Sequence, residues 1–382
     1  MKMKLFAAAV AALAAGGAYA QSSVTLYGVV DAGIEYQNHA PNAAGVTGSH
    51  DVVRLTSGNM SGSRWGLRGV EDLGGGLKGV FVLESGFSVD TGTSGQGGRL
   101  FGRQAFVGVQ NQFGTLTLGR HQTPFYEFGL AFDPMAISTN YSITAQGTEF
   151  QSRADNSLKY MGKFGGVSAT LLYSTGSNTG ATSGNAFQGN AGEIPGNYHT
   201  GREYSASLSY AGGPFSVGVI YDESNVGINT VALQDAKIRR AAVAGTYAFG
   251  PVKAFLGYRY AKASDGALLP GATPLGFAAP VTDKSNLYWG GVGYQVTPAL
   301  SLTGAVYYQD FRNTGADPWQ FVVSTDYAFS KRTDAYLNLA YVKNKDGSTL
   351  GLSGTGAAGS GFGANVGAAN MFGAVVGLRH KF

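Results

Sequence analysis

From residue 23 onward the apolar positions recur with a period of two. Val24, Leu26, Gly28, Val30, Ala32, Ile34 and Tyr36 share one face, while Thr25, Tyr27, Asp31 and Glu35 make the other face polar. Strict alternation is the mark of a strand wetted on one side only. The same texture returns at the far end, where Phe372, Ala374, Val376, Leu378, His380 and Phe382 lie opposite Arg379 and Lys381. Similar segments occur between them, including Val167 to Tyr173, Val252 to Tyr260 and Leu300 to Tyr308.

The connections between these segments alternate in length. Short ones fall at 71–76, 112–114, 165–166, 211–214, 250–251, 297–298 and 330–332, rich in Gly and Pro as tight turns require. Long ones, mostly polar and rich in Gly, Ser, Asn or Ala, fall at 37–51, 89–98, 121–152, 175–201, 224–236, 263–283, 313–317 and 344–368. Seven short and eight long connections join sixteen strands. An even number of antiparallel strands with turns at one end and loops at the other predicts an all-β, 16-stranded transmembrane β-barrel with both chain ends on the turn side. A pair of soluble β-sandwiches would also alternate, but the unbroken rhythm of turns and loops and the absence of a linker favour closure.

Composition narrows this further. Charged residues are 13% and hydrophobic residues 44% of the chain, against roughly 25% charged in soluble globular proteins, so something other than a hydrated charged surface covers it. Sixty glycines with 21 Tyr and 22 Phe suit packed strands and aromatic belts at a membrane interface. Cysteine is absent, which excludes disulfides and thiol catalysis. Met1 to Lys4 is basic, Leu5 to Ala15 apolar, and Ala18-Tyr19-Ala20 a small-x-small cleavage site, so residues 1–20 read as a secretory signal and 21–382 as the barrel domain. The apolar run is shorter than the ~18 to 20 residues that span a bilayer, and an exported membrane protein without a spanning helix must cross lipid as a closed sheet.

Net charge is +4 from 27 basic and 23 acidic residues, with no basic run, so no nucleic-acid partner is expected. The five histidines form no pair at metal-ligand spacing, and no cofactor, metal or enzymatic site is predicted.

A sixteen-stranded barrel encloses water, so the inward polar residues decide what passes. The longest connection, 121–152, is too apolar to sit well in solvent, and is expected to fold back into the lumen as the third external loop, carrying Glu127, Asp133 and Glu149. Strand parity turns Arg64 and Arg68 inward, with Trp65 and Leu67 outward; Arg103, Arg153 and Lys159 follow. Any one arginine could serve a salt bridge or pin a loop. A cluster facing one lumen points instead to a basic constriction wall opposed by loop carboxylates.

The stretches QSSVTLYGVVDAG (21–33), SRWGLRGVEDLGGGLKGVFVLE (63–84), GRQAFVGVQNQFGTLTLGR (102–120) and GLRHKF (377–382) resemble the Gram-negative general-diffusion porins of the beta-proteobacterial type. The resemblance spans the chain. It implies a homotrimer of sixteen-stranded barrels in the outer-membrane lipid, passing ions and small hydrophilic solutes through pores narrowed by the third loop. Arg64, Arg103 and Arg153 look like the family's constriction arginines, and Phe382 is similar to the terminal aromatic read by the assembly machinery. The enteric porins' Pro-Glu-Phe-Gly-Gly loop element is here Tyr126-Glu127-Phe128-Gly129-Leu130. The basic wall implies an anion preference; a solute-specific porin and a barrel acting as adhesin or phage receptor are the alternatives.

Overall fold

A computed structural model describes residues 23–41, 47–176, 196, 198–226, 235–269, 282–353 and 369–382. The predicted signal at 1–20 and much of the loops expected at 175–201, 263–283 and 344–368 lie outside the described residues.

Seventeen strands form one antiparallel sheet in chain order: β1(Ser23–Pro41), β2(Thr47–Ser57), β3(Arg64–Gly74), β4(Leu77–Gly86), β5(Gln104–Asn111), β6(Gly114–Gln122), β7(Arg153–Phe164), β8(Val167–Ser174), β9(Glu203–Gly212), β10(Phe215–Asn225), β11(Lys237–Phe249), β12(Val252–Ser264), β13(Lys284–Gln295), β14(Leu300–Phe311), β15(Trp319–Ala328), β16(Thr333–Lys343) and β17(Asn370–Lys381). β17 closes the sheet onto β1, with Val29 opposite Lys381 and Gln37 opposite Gly373. On its other side β1 pairs with β2 over Ala32 to Pro41 and with β3 over Ser23 to Val29, so β2 and β3 are two halves of one staves' width and 17 − 1 = 16 strands close the barrel. Closure removes the unpaired edges that lipid would not tolerate.

The break between β2 and β3 has a local cause. Gly58 takes φ +71°, and the chain leaves the ladder at 58–63. The backbone N–H groups of Asn59, Met60 and Ser61 donate instead to the Asp31 carboxylate at 3.3, 2.9 and 2.7 Å. Tyr336 Oη donates to the same carboxylate at 2.5 Å. A carboxylate thus replaces the missing ladder partners of three amides.

Burial is inverted relative to a soluble protein. Val24, Leu26, Ile34, Leu118 and Leu256 are exposed on the outer surface, while Asp31, Glu35, Glu84 and Arg259 are buried inside. Toward the loop end, Tyr258, Tyr288, Tyr308 and Trp319 stack side by side on the outer surface, with successive ring centroids 5.1, 6.1 and 4.4 Å apart. Tyr210, Tyr247, Tyr294 and Tyr327 are exposed near the turn end. Such paired bands mark the two faces of a membrane.

Candidate functional site

The segment between β6 and β7 is not an irregular loop throughout. Thr123 caps helix α1(Pro124–Phe132): its hydroxyl accepts from Tyr126 N at 3.3 Å and Pro124 takes the first turn, where a missing N–H costs nothing. Phe125, Phe128, Gly129 and Phe132 recur at helical spacing and are buried. The two feet of the segment are tied together by the hydroxyls of Thr123 and Ser152, 2.7 Å apart.

Side chains around the wall anchor it. Trp289 on β13 donates Nε1–H to Phe132 O at 3.0 Å, and Tyr307 on β14 donates to Asp133 Oδ1 at 2.6 Å. Tyr141 Oη donates to Glu35 on β1 at 2.8 Å, and Gln146 Nε2 to Gln320 on β15 at 2.8 Å. Glu149 lies 2.9 Å from Arg259 Nε, an ion pair whose angle falls short of a hydrogen bond, and 3.5 Å from Arg240 Nε. Asp222 holds Arg240 from behind at 2.7 Å. Glycines on the wall leave room for these contacts: a Cβ at Gly218 would lie 2.6 Å from Phe132 Cε2, and one at Gly291 would lie 2.5 Å from Pro134 Cγ.

The segment and the opposite wall, β3 to β7, enclose an open cleft of about 390 Å³ lined by Arg64, Glu84, Arg103, Tyr126 and Arg153 among others. Among the described residues Glu84 is the one carboxylate in that lining. Arg103 donates Nε–H to Glu84 Oε1 at 2.7 Å, and Arg64 Nε is 3.7 Å from Oε2. Arg153 is held by carbonyls, Arg103 O and Gln151 O, both at 3.1 Å, and by the Tyr126 ring 5.3 Å from its guanidinium carbon. Three guanidiniums and one carboxylate in the lining leave a formal 3 − 1 = +2 at the cleft. Tyr126 reports that surplus: burial pushes its phenol up, but Arg103, Arg153 and Arg64 outweigh burial and hold it below the ordinary tyrosine value.

The structure thus brings Arg64, Arg103 and Arg153 together and sets the other expected site residues elsewhere. Arg68 does face inward, opposite Thr25, but four residues along β3, about 13 Å, with its guanidinium over the Tyr27 ring at 5.5 Å. Lys159 is buried and bonded to Glu127 Oε1 at 2.5 Å and Gln122 O at 2.9 Å. Asp133 and Glu149 are buried in anchoring contacts. None of the three loop carboxylates lines the cleft, so the expected opposition of loop acids to wall arginines is replaced by acids that fasten the loop. Burial raises the Asp133 carboxyl to about 6 despite the bonds from Tyr307 and Ile137 N that favour its charged form. Sequence parity missed Tyr126, Arg240 and Asp222, whose partners are remote in the chain. Phe382 extends the last strand, exchanging backbone hydrogen bonds with Gly28 at 3.0 and 3.1 Å.

Comparison with known proteins agrees with this architecture. The family model for Gram-negative porins matches residues 7–347. An outer membrane porin protein of Bordetella pertussis is 32% identical over 90% of this chain and 95% of its own length. Outer membrane porin protein 32 of Delftia acidovorans is 32% identical over the whole of both chains. Among solved structures, the anion-selective porin from Comamonas acidovorans superposes with a TM-score of 0.72 at 27% identity, covering 94% of this chain and 100% of that one. With polar residues inside a closed sixteen-strand barrel, apolar residues outside and a family match over most of its length, this chain belongs to the Gram-negative porins of the outer membrane.

Proposed function

We propose that this outer-membrane channel prefers small anions, and that the preference is set at the cleft between the anchored 123–152 segment and the β3–β7 wall. The observation that carries the reading is the excess of Arg64, Arg103 and Arg153 over Glu84 in the cleft lining, where Glu84 pairs with Arg64 and Arg103 and Arg153 is held by carbonyls. A positive surplus between low-dielectric walls concentrates anions and repels cations. Lys159, Glu127, Asp133 and Glu149 serve the constriction indirectly, by fixing the segment that narrows the lumen. Arg68 lies nearer the turn-side mouth and adds a second, more hydrated positive step.

The family assembles as porins do, and a homotrimer in which each barrel conducts separately fits the chain. Residues 1–20 direct export and are removed, and Phe382, at the end of the closing strand, serves recognition by the assembly machinery. Solutes are ions and small hydrophilic molecules, selected by size and charge.

The experiment is the reversal potential of the purified protein in a planar bilayer across a tenfold salt gradient. A potential of the sign set by anion flux, shrinking as total salt rises past about 1 M where the screening length falls to about 3 Å, supports the reading. A cation-selective potential overturns it.

A further inference from the structure

The two sides of the cleft differ in kind. The wall side carries Arg64, Arg103 and Arg153, while the side formed by the 123–152 segment presents Tyr126, Leu130 and Ile137. Tyr126 and Leu130 stand four apart on α1 and share a helix face, the one turned away from the buried Phe125, Phe128 and Phe132. Leu130 is 52% exposed, although the inside of a water-filled barrel is ordinarily polar. Ile137 leans on the same helix, since a Cβ on Gly129 would stand 2.8 Å from its Cγ2. The loop carboxylates that could have hydrated this side are turned to Lys159, Tyr307 and Arg259 instead.

Backbone strain holds that apolar lip in place. Ala136 and Ile137 are consecutive residues in the left-handed region, at φ +48° and +51°, and a β-branched residue there is an outlier. Asp133 imposes the turn: its backbone carbonyl accepts from Ala136 N at 2.9 Å and its carboxylate from Ile137 N at 2.8 Å. The carboxylate is fixed in turn by Tyr307 on β14. Conformations of this sort persist only where the surroundings over-determine them, and they cluster at ligand contacts. A glycine or asparagine would adopt the turn at less cost, so the isoleucine side chain has a use of its own.

A basic wall facing an apolar lip defines the solute. A hydrated inorganic anion uses the arginines alone and loses water wherever it meets the lip. An anion with an apolar body uses both sides. A second carboxylate at the far end of such a solute would be set against hydrocarbon, so a single charge fits best. The cleft, at about 390 Å³, lies at the small end of ligand-sized cavities and admits one ring-sized body.

We propose that the constriction favours small organic monocarboxylates with a compact apolar body, aromatic or branched, the carboxylate on the arginine wall and the hydrocarbon on Leu130 and Ile137; this rests on the anion preference proposed above and narrows it to a solute class. Burying about 50 Å² of hydrocarbon on the lip corresponds to about eightfold tighter binding.

The test is block of the chloride current through the full, refolded protein in a planar bilayer, titrated with three ring-sized probes: benzoate, the hydroxylated acid glucuronate, and neutral benzamide. Benzoate should half-block at a concentration about eightfold below glucuronate, and benzamide should not block. Leu130→Ser with Ile137→Asn, asparagine tolerating the left-handed turn, should bring the ratio of the two acids close to one. Because both acids are read in the same variant, a change in pore width or wall charge acts on both. Equal block by the two acids in wild type overturns the inference, as does a benzoate preference kept by the double variant or block by benzamide matching that by benzoate. If the double variant does not fold, Leu130→Ser alone, at an exposed position, must cut the ratio about twofold, and an unchanged ratio overturns the lip. The reversal potential in chloride separates the two readings. A cation-selective wild type removes the anion preference itself, whereas an anion-selective pore that takes benzoate and glucuronate alike removes only the solute class.

Discussion

The seating of helix α1 on the wall is open to a direct perturbation at Gly218. This residue lies on β10, locked by ladders to Ser209 on one side and Ala244 on the other, so its backbone cannot retreat. A Cβ there would stand 2.6 and 2.9 Å from Cε2 and Cζ of Phe132 and 3.2 Å from Cε2 of Phe128. Carbon atoms pack at about 3.5 to 4.0 Å, so Gly218→Ala must push the helix about 1 Å from the wall, and Gly218→Val further. The displacement is directed at the cleft, because the same helix carries Tyr126 against Arg153. Overpacking of this kind costs about 1–3 kcal/mol. The assay pairs single-channel conductance with thermal unfolding in detergent: Gly218→Val should conduct less and melt lower, with Gly218→Ala between it and wild type. Gly293→Ala is the control, since its new Cβ would have no neighbour closer than 3.9 Å. Wild-type conductance and stability in Gly218→Val would refute the claim that the segment is wedged against a rigid wall.

Other outcomes follow from the same contacts. Asp133 titrates at about 6 in the folded protein against an ordinary 3.8, so the folded state holds its proton more tightly than the unfolded chain. Its contribution to stability is therefore full at low pH and is lost as pH rises through about 6, amounting to roughly 3 kcal/mol at the upper end. Melting in detergent should rise from pH 7 to pH 5 more in wild type than in Asp133→Asn, and an identical profile would contradict the assignment. Asp31→Ala should cost about 3 kcal/mol in urea unfolding, because it strands the amides of Asn59, Met60 and Ser61, whereas Asp31→Asn should cost less. Glu149→Ala leaves the buried Arg259 without its carboxylate, and should increase open-channel current noise while leaving the trimer intact.

How much of this was legible in the sequence follows the range of the forces involved. Strand parity is local, so Val24 and Leu26 outside, Asp31 and Arg64 inside, and the seven short turns could all be read from neighbours in the chain. The break at 58–63 was not, because it depends on Asp31 and Tyr336, which meet only when the barrel closes. Helix α1 hid in a segment read as loop: a single nine-residue helix gives little periodic signal, although the Thr123-Pro124 start and the spacing of Phe125, Phe128 and Phe132 were available clues. The roles of Glu127, Asp133 and Glu149 were the least legible. Their partners Lys159, Tyr307, Arg240 and Arg259 lie on four different strands, and no one-dimensional pattern ranks a carboxylate facing water against one facing a guanidinium. The placement of Arg64, Arg103 and Arg153 in one lining was nearer to hand, because inward parity on neighbouring strands is a local property.

The central claim is that the excess of Arg64, Arg103 and Arg153 over Glu84 sets the ion preference, and the reversal potential before and after Arg64→Gln, Arg103→Gln and Arg153→Gln together tests it most directly. These changes turn a formal +2 at the cleft into −1, so the account predicts an anion-selective wild type and a variant whose preference vanishes or reverses, with conductance retained. An unchanged reversal potential in a well-folded, conducting variant would contradict it.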